Sequence, residues 1–467
     1  MSKLNKDILY LIFEEVHDKK TLFSCLLVNK TWCDMIIRNL WRDPWRFLKN
    51  RKDELLLLNI IISYLSVESK NYLKSQGINI FTKSCDKPLY NYITFCKHLN
   101  LNAIGMILVK TIKCEPKISI ILNEIFNLFI NGKTKFTHLY IPKNFDCQLN
   151  LIPGVENCLS EIEFLSCDTT INDKSLTGLM TICKSIKELE LFMGLSDNNF
   201  GFARLIKQQK NLFKIRFLPS KVYPIYYPCD DQFYDLIENS LIKHADTIEY
   251  LKTPRHFNTK IISSFINLKI LVMNNHYMNW KFLWDQNLSF PNLEILNVSR
   301  FPINILVNII KHARNLIELS IEKIYTIIDN KKIIQAIYQN CPRLKYLKML
   351  IYNINILEFK NILINCQDLN ELYVVATEYL WEDLFKILAE FSPTNLYKFK
   401  FALMIVMLES LVKFFKLWQG RRPMILEFFT NSSDIKKVMK KYKSKGIVKE
   451  YNYEFNSKKD DFWISFR

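Results

Sequence analysis

The side chains that could do chemistry in this chain stand apart from one another. Its twelve cysteines are single residues scattered from Cys25 to Cys366, with no CxxC pair and no Cys/His cluster at zinc-ligand spacing, and its seven histidines are isolated. No GxxxxGKS/T or GxGxxG loop could cradle a phosphate, no HExxH could hold a catalytic zinc, and no GxSxG presents an activated serine. The groups for acyl transfer, metal-assisted hydrolysis and nucleotide-dependent reactions are missing, so the expectation is a non-catalytic binding protein without a cofactor or metal. One concentration of reactive type remains. Lys436, Lys437, Lys440, Lys441, Lys443, Lys445 and Lys449 crowd together late in a chain of formal net charge +18. Clustered lysines can release counterions from a phosphate backbone, but the excess elsewhere is diffuse and this run reads as a solvated helix face.

The elements that carry these side chains follow from length and pattern. With 467 residues and 49% hydrophobic content the chain can bury more core than one compact domain needs, which suggests a small module joined to a long one. Only 9 glycines and 14 prolines are too few for a turn-dense β-sandwich, so helices and short strands are expected. The opening MSKLNKDILYLIFEEV has no long apolar run before a small-residue cleavage site. The most apolar stretches, Leu55 to Leu65 and Phe401 to Leu408, fall well short of the roughly 20 residues that cross a bilayer. Reduced thiols, a cytoplasmic or nuclear location and no membrane contact are the corresponding expectations.

Leu4 to Trp45 has apolar residues at helical intervals: Leu4, Ile8, Leu11, Ile12 and Val16, then Leu22, Leu26 and Leu27, then Trp32, Met35, Ile36 and Leu40. Asp18 with Thr21, and Asn29 with Thr31, can cap or turn the chain before the second and third helices. Three such short helices carry more apolar surface than one small bundle hides, which implies a partner over the remainder. The string LNKDILYLIFEEVHDKKTLFSCLLVNKTWCDMIIRNLWRDPW resembles an F-box: Leu4, Asp7, Ile8, Ile12, Phe13, Leu22, Val28, Trp32, Leu40 and Trp41 match that family's pattern. Asn5 stands where the family usually has proline, which removes a helix-initiating residue but leaves an acceptable N-cap. The resemblance implies that Leu4, Ile8, Ile12, Leu22, Val28, Trp32, Leu40 and Trp41 dock a Skp-family adaptor and, through it, a cullin.

From residue 136 an L-x-x-L-x-L pattern recurs, beginning with Phe136-Leu139-Ile141, Leu159-Ile162-Phe164, Ile186-Leu189-Leu191 and Leu212-Ile215-Phe217 and continuing to Leu396-Phe399-Phe401. Most intervals are roughly 20 to 28 residues, the period of leucine-rich repeats, each one strand plus one helix. Segments such as NCPRLKYLKML at Asn340 and NCQDLNELYV at Asn365 look like the cysteine-containing repeats common in F-box proteins. The expected fold is therefore α/β: a three-helix F-box over 1–45, a helical linker and N-terminal cap over 46–135, a leucine-rich-repeat solenoid over 136–423, and a C-terminal cap with a basic tail over 424–467. A loop leaving the repeats is expected around Pro219, Tyr223, Pro224, Tyr226, Tyr227 and Pro228.

In such a body the x positions of each strand point out of the core. Early repeats would present Glu161, Glu163, Glu188 and Glu190, the next two Lys214, Arg216, Tyr250 and Lys252, and later ones Glu318, Tyr346, Lys348, Tyr373, Lys398 and Lys400. This predicts a face zoned by charge that binds an unknown protein substrate, with Glu161, Glu163, Glu188, Glu190, Arg216, Tyr250, Tyr346 and Tyr373 as its contacts. The F-box resemblance implies substrate recognition for a cullin-based ubiquitin ligase, in which the receptor supplies proximity and no catalysis. The alternatives are a repeat scaffold that works without a ligase, and a nucleic-acid-binding solenoid that stacks bases on residues such as Tyr226 and Tyr227.

Overall fold

Three polar side chains start the first three helices. Asn5 accepts from Asp7 N at the head of α1 (Lys6–Glu15), Asp18 from Thr21 N at the head of α2 (Lys19–Leu26), and Asn29 from Trp32 N at the head of α3 (Lys30–Arg42). Each satisfies a first-turn amide that has no partner within the helix. The computed structural model describes residues 5–16, 18–79, 88–112, 115–143, 145–194, 198–219, 231–255, 257, 260–274, 288–322, 326–376, 381–402, 408–428 and 433–452. Leu4, the Tyr223 to Pro228 run and everything after Asn452 lie outside the described residues. The chain divides into two units, Met1–Lys243 and His244–Arg467.

In the first unit, α1 to α3 are followed by helices Arg51–Ser63 and Val67–Ser75 and then by five strands: β1 (His98–Asn100), β2 (His138–Tyr140), β3 (Phe164–Asp168), β4 (Glu188–Met193) and β5 (Lys214–Pro219). Each pairs in parallel with the next. Parallel neighbours need a crossover, and helices supply it: Leu101–Ile112 and Glu115–Phe129 before β2, Asp173–Ile182 before β4, Gly201–Gln208 before β5. The register stacks Leu99, Leu139, Leu165, Leu189 and Ile215 in one buried column.

The second unit repeats the scheme over β6 (Tyr250–Thr253), β7 (Ile270–Asn274), β8 (Ile295–Ser299), β9 (Glu318–Glu322), β10 (Tyr346–Ile351), β11 (Glu371–Ala376), β12 (Lys398–Ala402), β13 (Met424–Phe428) and β14 (Val448–Asn452). Its buried column is Leu251, Leu271, Leu296, Leu319, Leu347, Leu372, Phe399 and Leu426. Within each unit the strands follow chain order and the sheet stays open. Parallel pairing begins at His98, ahead of residue 136, and runs beyond residue 423 to Asn452.

One frame moves. Leu165 lies between Leu139 and Leu189, so the inward trio of that repeat is Ile162, Leu165 and Cys167, three residues later than Leu159-Ile162-Phe164. All of these side chains are buried, and only pairing with both neighbouring strands selects among them. The cysteines before strands sit at helix C-caps, where the Cys366 thiol donates to Cys341 O at 3.4 Å and the Cys183 thiol to Leu159 O at 3.8 Å. Burial pushes the Cys183, Cys341 and Cys366 thiols up to about 12. Among the described residues no helix is long and apolar enough to cross a membrane, and no group of three or more His, Cys, Asp or Glu is placed to hold a metal ion.

Candidate functional site

Helices α1 to α3 bury Leu9, Phe13, Leu22 and Ile36 as a small core, with Val16, Cys25, Leu26, Trp32, Met35, Leu40 and Phe47 packed around it. Phe13 and Trp32 meet edge to face at 5.1 Å, Asn39 donates to Phe13 O at 2.9 Å, and Arg42 pairs with Glu14 at 2.5 Å. That core is complete without the rest of the apolar residues. Ile8, Leu11, Ile12, Phe23, Leu27 and Val28 are exposed, Leu11 by 61% and Leu27 by 88%. None of these six side chains belongs to the core that the three helices bury.

The residues singled out from sequence therefore divide. Ile8, Ile12 and Val28 lie on the exposed surface, whereas Leu22 is buried and Trp32 and Leu40 are packed against the core. Trp41 stacks on Tyr92 at 4.4 Å and Leu4 is outside the described residues. Leu11, Phe23 and Leu27 were missed as surface candidates. For Leu11 the signal was present in α1, where Leu9, Phe13 and Val16 form one apolar stripe and Ile8, Leu11 and Ile12 a second.

The module is fixed to the first strand and to the segment before it. Trp45 Nε1 donates to His98 O at 2.7 Å, Lys97 N donates to Arg42 O at 2.9 Å, Tyr90 OH donates to Asp34 at 2.5 Å, and the Arg38 guanidinium lies 4.8 Å from the Phe95 ring centre. His98 stacks on His138 at 3.8 Å with the rings 9° apart. Burial, and then His138, pushes the His98 pKa down to about 3. Burial also raises the Asp43 carboxyl, whose Oδ2 is 3.5 Å from His98 Nδ1.

On the sheet face opposite the buried columns the charges are not zoned. In-register pairing sets an acid of one repeat beside a base of the next: Glu188 faces Lys214 at 3.1 Å, Glu190 faces Arg216 at 3.2 Å, and Glu371 faces Lys398 at 3.6 Å. Lys400 lies between Glu371 and Glu427, Lys348 pairs with Glu322 at 2.6 Å, and Ser166 donates to Glu190 at 2.8 Å. Residues one repeat apart in sequence become neighbours about 4.8 Å apart across a parallel sheet. Signs that look segregated along the chain are thereby interleaved in space. Glu161 and Glu163 precede β3 because of the three-residue frame change, and they pair with Lys135 at 2.5 Å and Lys187 at 2.7 Å. Tyr250 and Tyr373 are buried, the latter under Lys348 at 4.6 Å, and Tyr346 is half-buried between Glu318 and Glu371.

No protein-family model matches the chain, and no curated protein matches it.

Proposed function

We propose that this chain is an F-box protein with leucine-rich repeats, a non-catalytic substrate receptor of a cullin-based ubiquitin ligase in the cytoplasm or nucleus. The observation that carries the reading is the apolar surface left open by α1 to α3. A bundle that has completed its own core yet exposes Ile8, Leu11, Ile12, Phe23, Leu27 and Val28 is built to be covered. The F-box-like string falls on these helices, and a Skp-family adaptor is the partner it implies. Attachment of α3 and its flank to β1 through Trp45, and to the segment before β1 through Arg42 and Asp34, supports the division of labour, since a receptor acts by holding its cargo at a set position relative to the ligase. Its repeats supply the substrate surface, which is near-neutral and built from paired charges, favouring a folded protein over a phosphate backbone.

The test is co-purification with a Skp-family adaptor, using the full chain and a chain lacking residues 1–45. Capture by the full chain and its loss on deletion support the proposal. Equal capture by both chains excludes the module as the docking site, and no capture by either leaves the scaffold reading in its place.

A further inference from the structure

One strip of the second unit's sheet carries polar side chains that bond to nothing. The register that stacks Leu271, Leu296 and Leu319 in the buried column puts Val272, Asn297 and Ser320 in one row of the opposite face, and Asn274, Ser299 and Glu322 in the next. Glu322 is taken by Lys348 at 2.6 Å. The other polar groups differ. Ser299 and Ser320 are each only 8% exposed, and neither hydroxyl has a hydrogen-bond partner among the described residues. The side chains of Asn274 and Asn297 are half-buried, and their carboxamide oxygens are fully buried without a donor. On the first unit's sheet a serine in the comparable place is satisfied, Ser166 donating to Glu190 at 2.8 Å. Buried polar groups in folded chains are nearly always paired, so four unpaired ones on adjoining strands call for a bound group.

The backbone is strained at the same place. Arg300, directly after Ser299, has φ 53° and is the one non-glycine residue with positive φ among the described residues. Its N–H donates to Glu322 O at 3.1 Å, and its guanidinium has neither an ion pair nor a hydrogen-bond partner among the described residues. Such a conformation persists only where its surroundings enforce it, and strain of this kind gathers at binding sites.

We infer that Asn274, Asn297, Ser299, Arg300 and Ser320 form a binding site for an extended polypeptide segment, gripped through its main chain. A carboxamide accepts through Oδ1 and donates through Nδ2, which matches the N–H and C=O of a peptide unit. The serine hydroxyls can do either, and the guanidinium donates to carbonyl oxygens. Asn274 and Asn297 stand on neighbouring strands about 4.8 Å apart, so one extended segment reaches both. Nucleic acid fits less well, because these five residues bring a single cation for phosphate and no ring for a base to stack on. The inference deepens the receptor reading, on which it rests for calling the segment part of a substrate. Its test leaves the adaptor aside, so the two fail separately.

The experiment is fluorescence anisotropy on the full chain with a labelled, uncharged peptide of alternating serine and threonine. Its comparators are the same peptide N-methylated at alternate amides and a short oligothymidylate. The unmodified peptide should bind at least about ten-fold tighter than the N-methylated one, with little dependence on salt because no ion pair forms. Asn274→Leu with Asn297→Leu should weaken that binding at least about ten-fold. The same variant should melt no lower than the parent, since carboxamides without partners lend the free fold nothing. Asn274→Ala with Asn297→Ala gives the binding comparison if the leucine pair does not fold. Equal binding of the N-methylated peptide, undiminished peptide binding by the variants, a loss of oligothymidylate binding in its place, or no peptide binding at all overturns the proposal.

Discussion

If the proposed adaptor docks on α1 to α3, truncating Leu11 and Leu27 to alanine should weaken its binding without unfolding the module. Fully burying a leucine side chain contributes about 1.5–3 kcal/mol. Covering the 61% of Leu11 and 88% of Leu27 that is exposed would then be worth about 0.9–1.8 and about 1.3–2.6 kcal/mol. Together these predict a dissociation constant about 40-fold to about 1000-fold weaker at about 1.4 kcal/mol per decade. The cost to folding should stay within about 0.5 kcal/mol, since neither side chain contributes to the core. Leu22→Ala is the contrasting variant: its side chain is buried in the core, so it should lose about 2–5 kcal/mol of stability. Calorimetric titration with purified adaptor gives the affinities and thermal melting gives the stabilities. A Leu11→Ala/Leu27→Ala chain that melts like the parent and binds the adaptor within about three-fold of it would refute the reasoning, because the face left open by the helices would then be irrelevant to docking.

Glu190→Lys should destabilise the first unit by about 1–3 kcal/mol, because it sets like charge against half-buried Arg216 and removes the acceptor of Ser166; urea unfolding beside Glu161→Lys, whose ion pair is exposed and worth under about 1 kcal/mol, measures the contrast. His98 is neutral when folded, with its pKa depressed to about 3 from 6.5, so the unfolded chain binds the extra proton. Stability should be intact above pH 6.5 and fall as pH drops from there towards 3, by about 1.4 kcal/mol at pH 5.5, and His98→Phe should remove that share of the loss in parallel unfolding curves. Cys183, Cys341 and Cys366, held near 12 by burial, should resist iodoacetamide at pH 8 in the native chain and react only on denaturation; rapid native labelling of any of them, read by peptide mass spectrometry, would contradict their placement.

Much of the architecture was legible in the residues themselves. Apolar spacing and the caps at Asn5, Asp18 and Asn29 determined the first three helices, because capping is a local interaction between residues two or three apart. The L-x-x-L-x-L period determined that strands and helices alternate, and it located the buried columns at Leu189, Leu319, Leu347 and Leu372. The frame at β3 was not legible, since Leu159, Ile162, Phe164 and Leu165 are all apolar and all buried. Only pairing with β2 and β4 distinguishes them.

What the tertiary structure alone decided is which side chains remain available. Leu22 and Leu27 are both leucines of the same F-box-like string, yet one is closed into the core by Phe13 and Ile36 and the other faces solvent. Glu188 and Glu190 look like an acidic zone in the chain, and the sheet hands them Lys214 and Arg216 from the next repeat. Burial and charge pairing are properties of neighbours brought together across some 25 residues, and a linear pattern specifies the type of each side chain without specifying that neighbour.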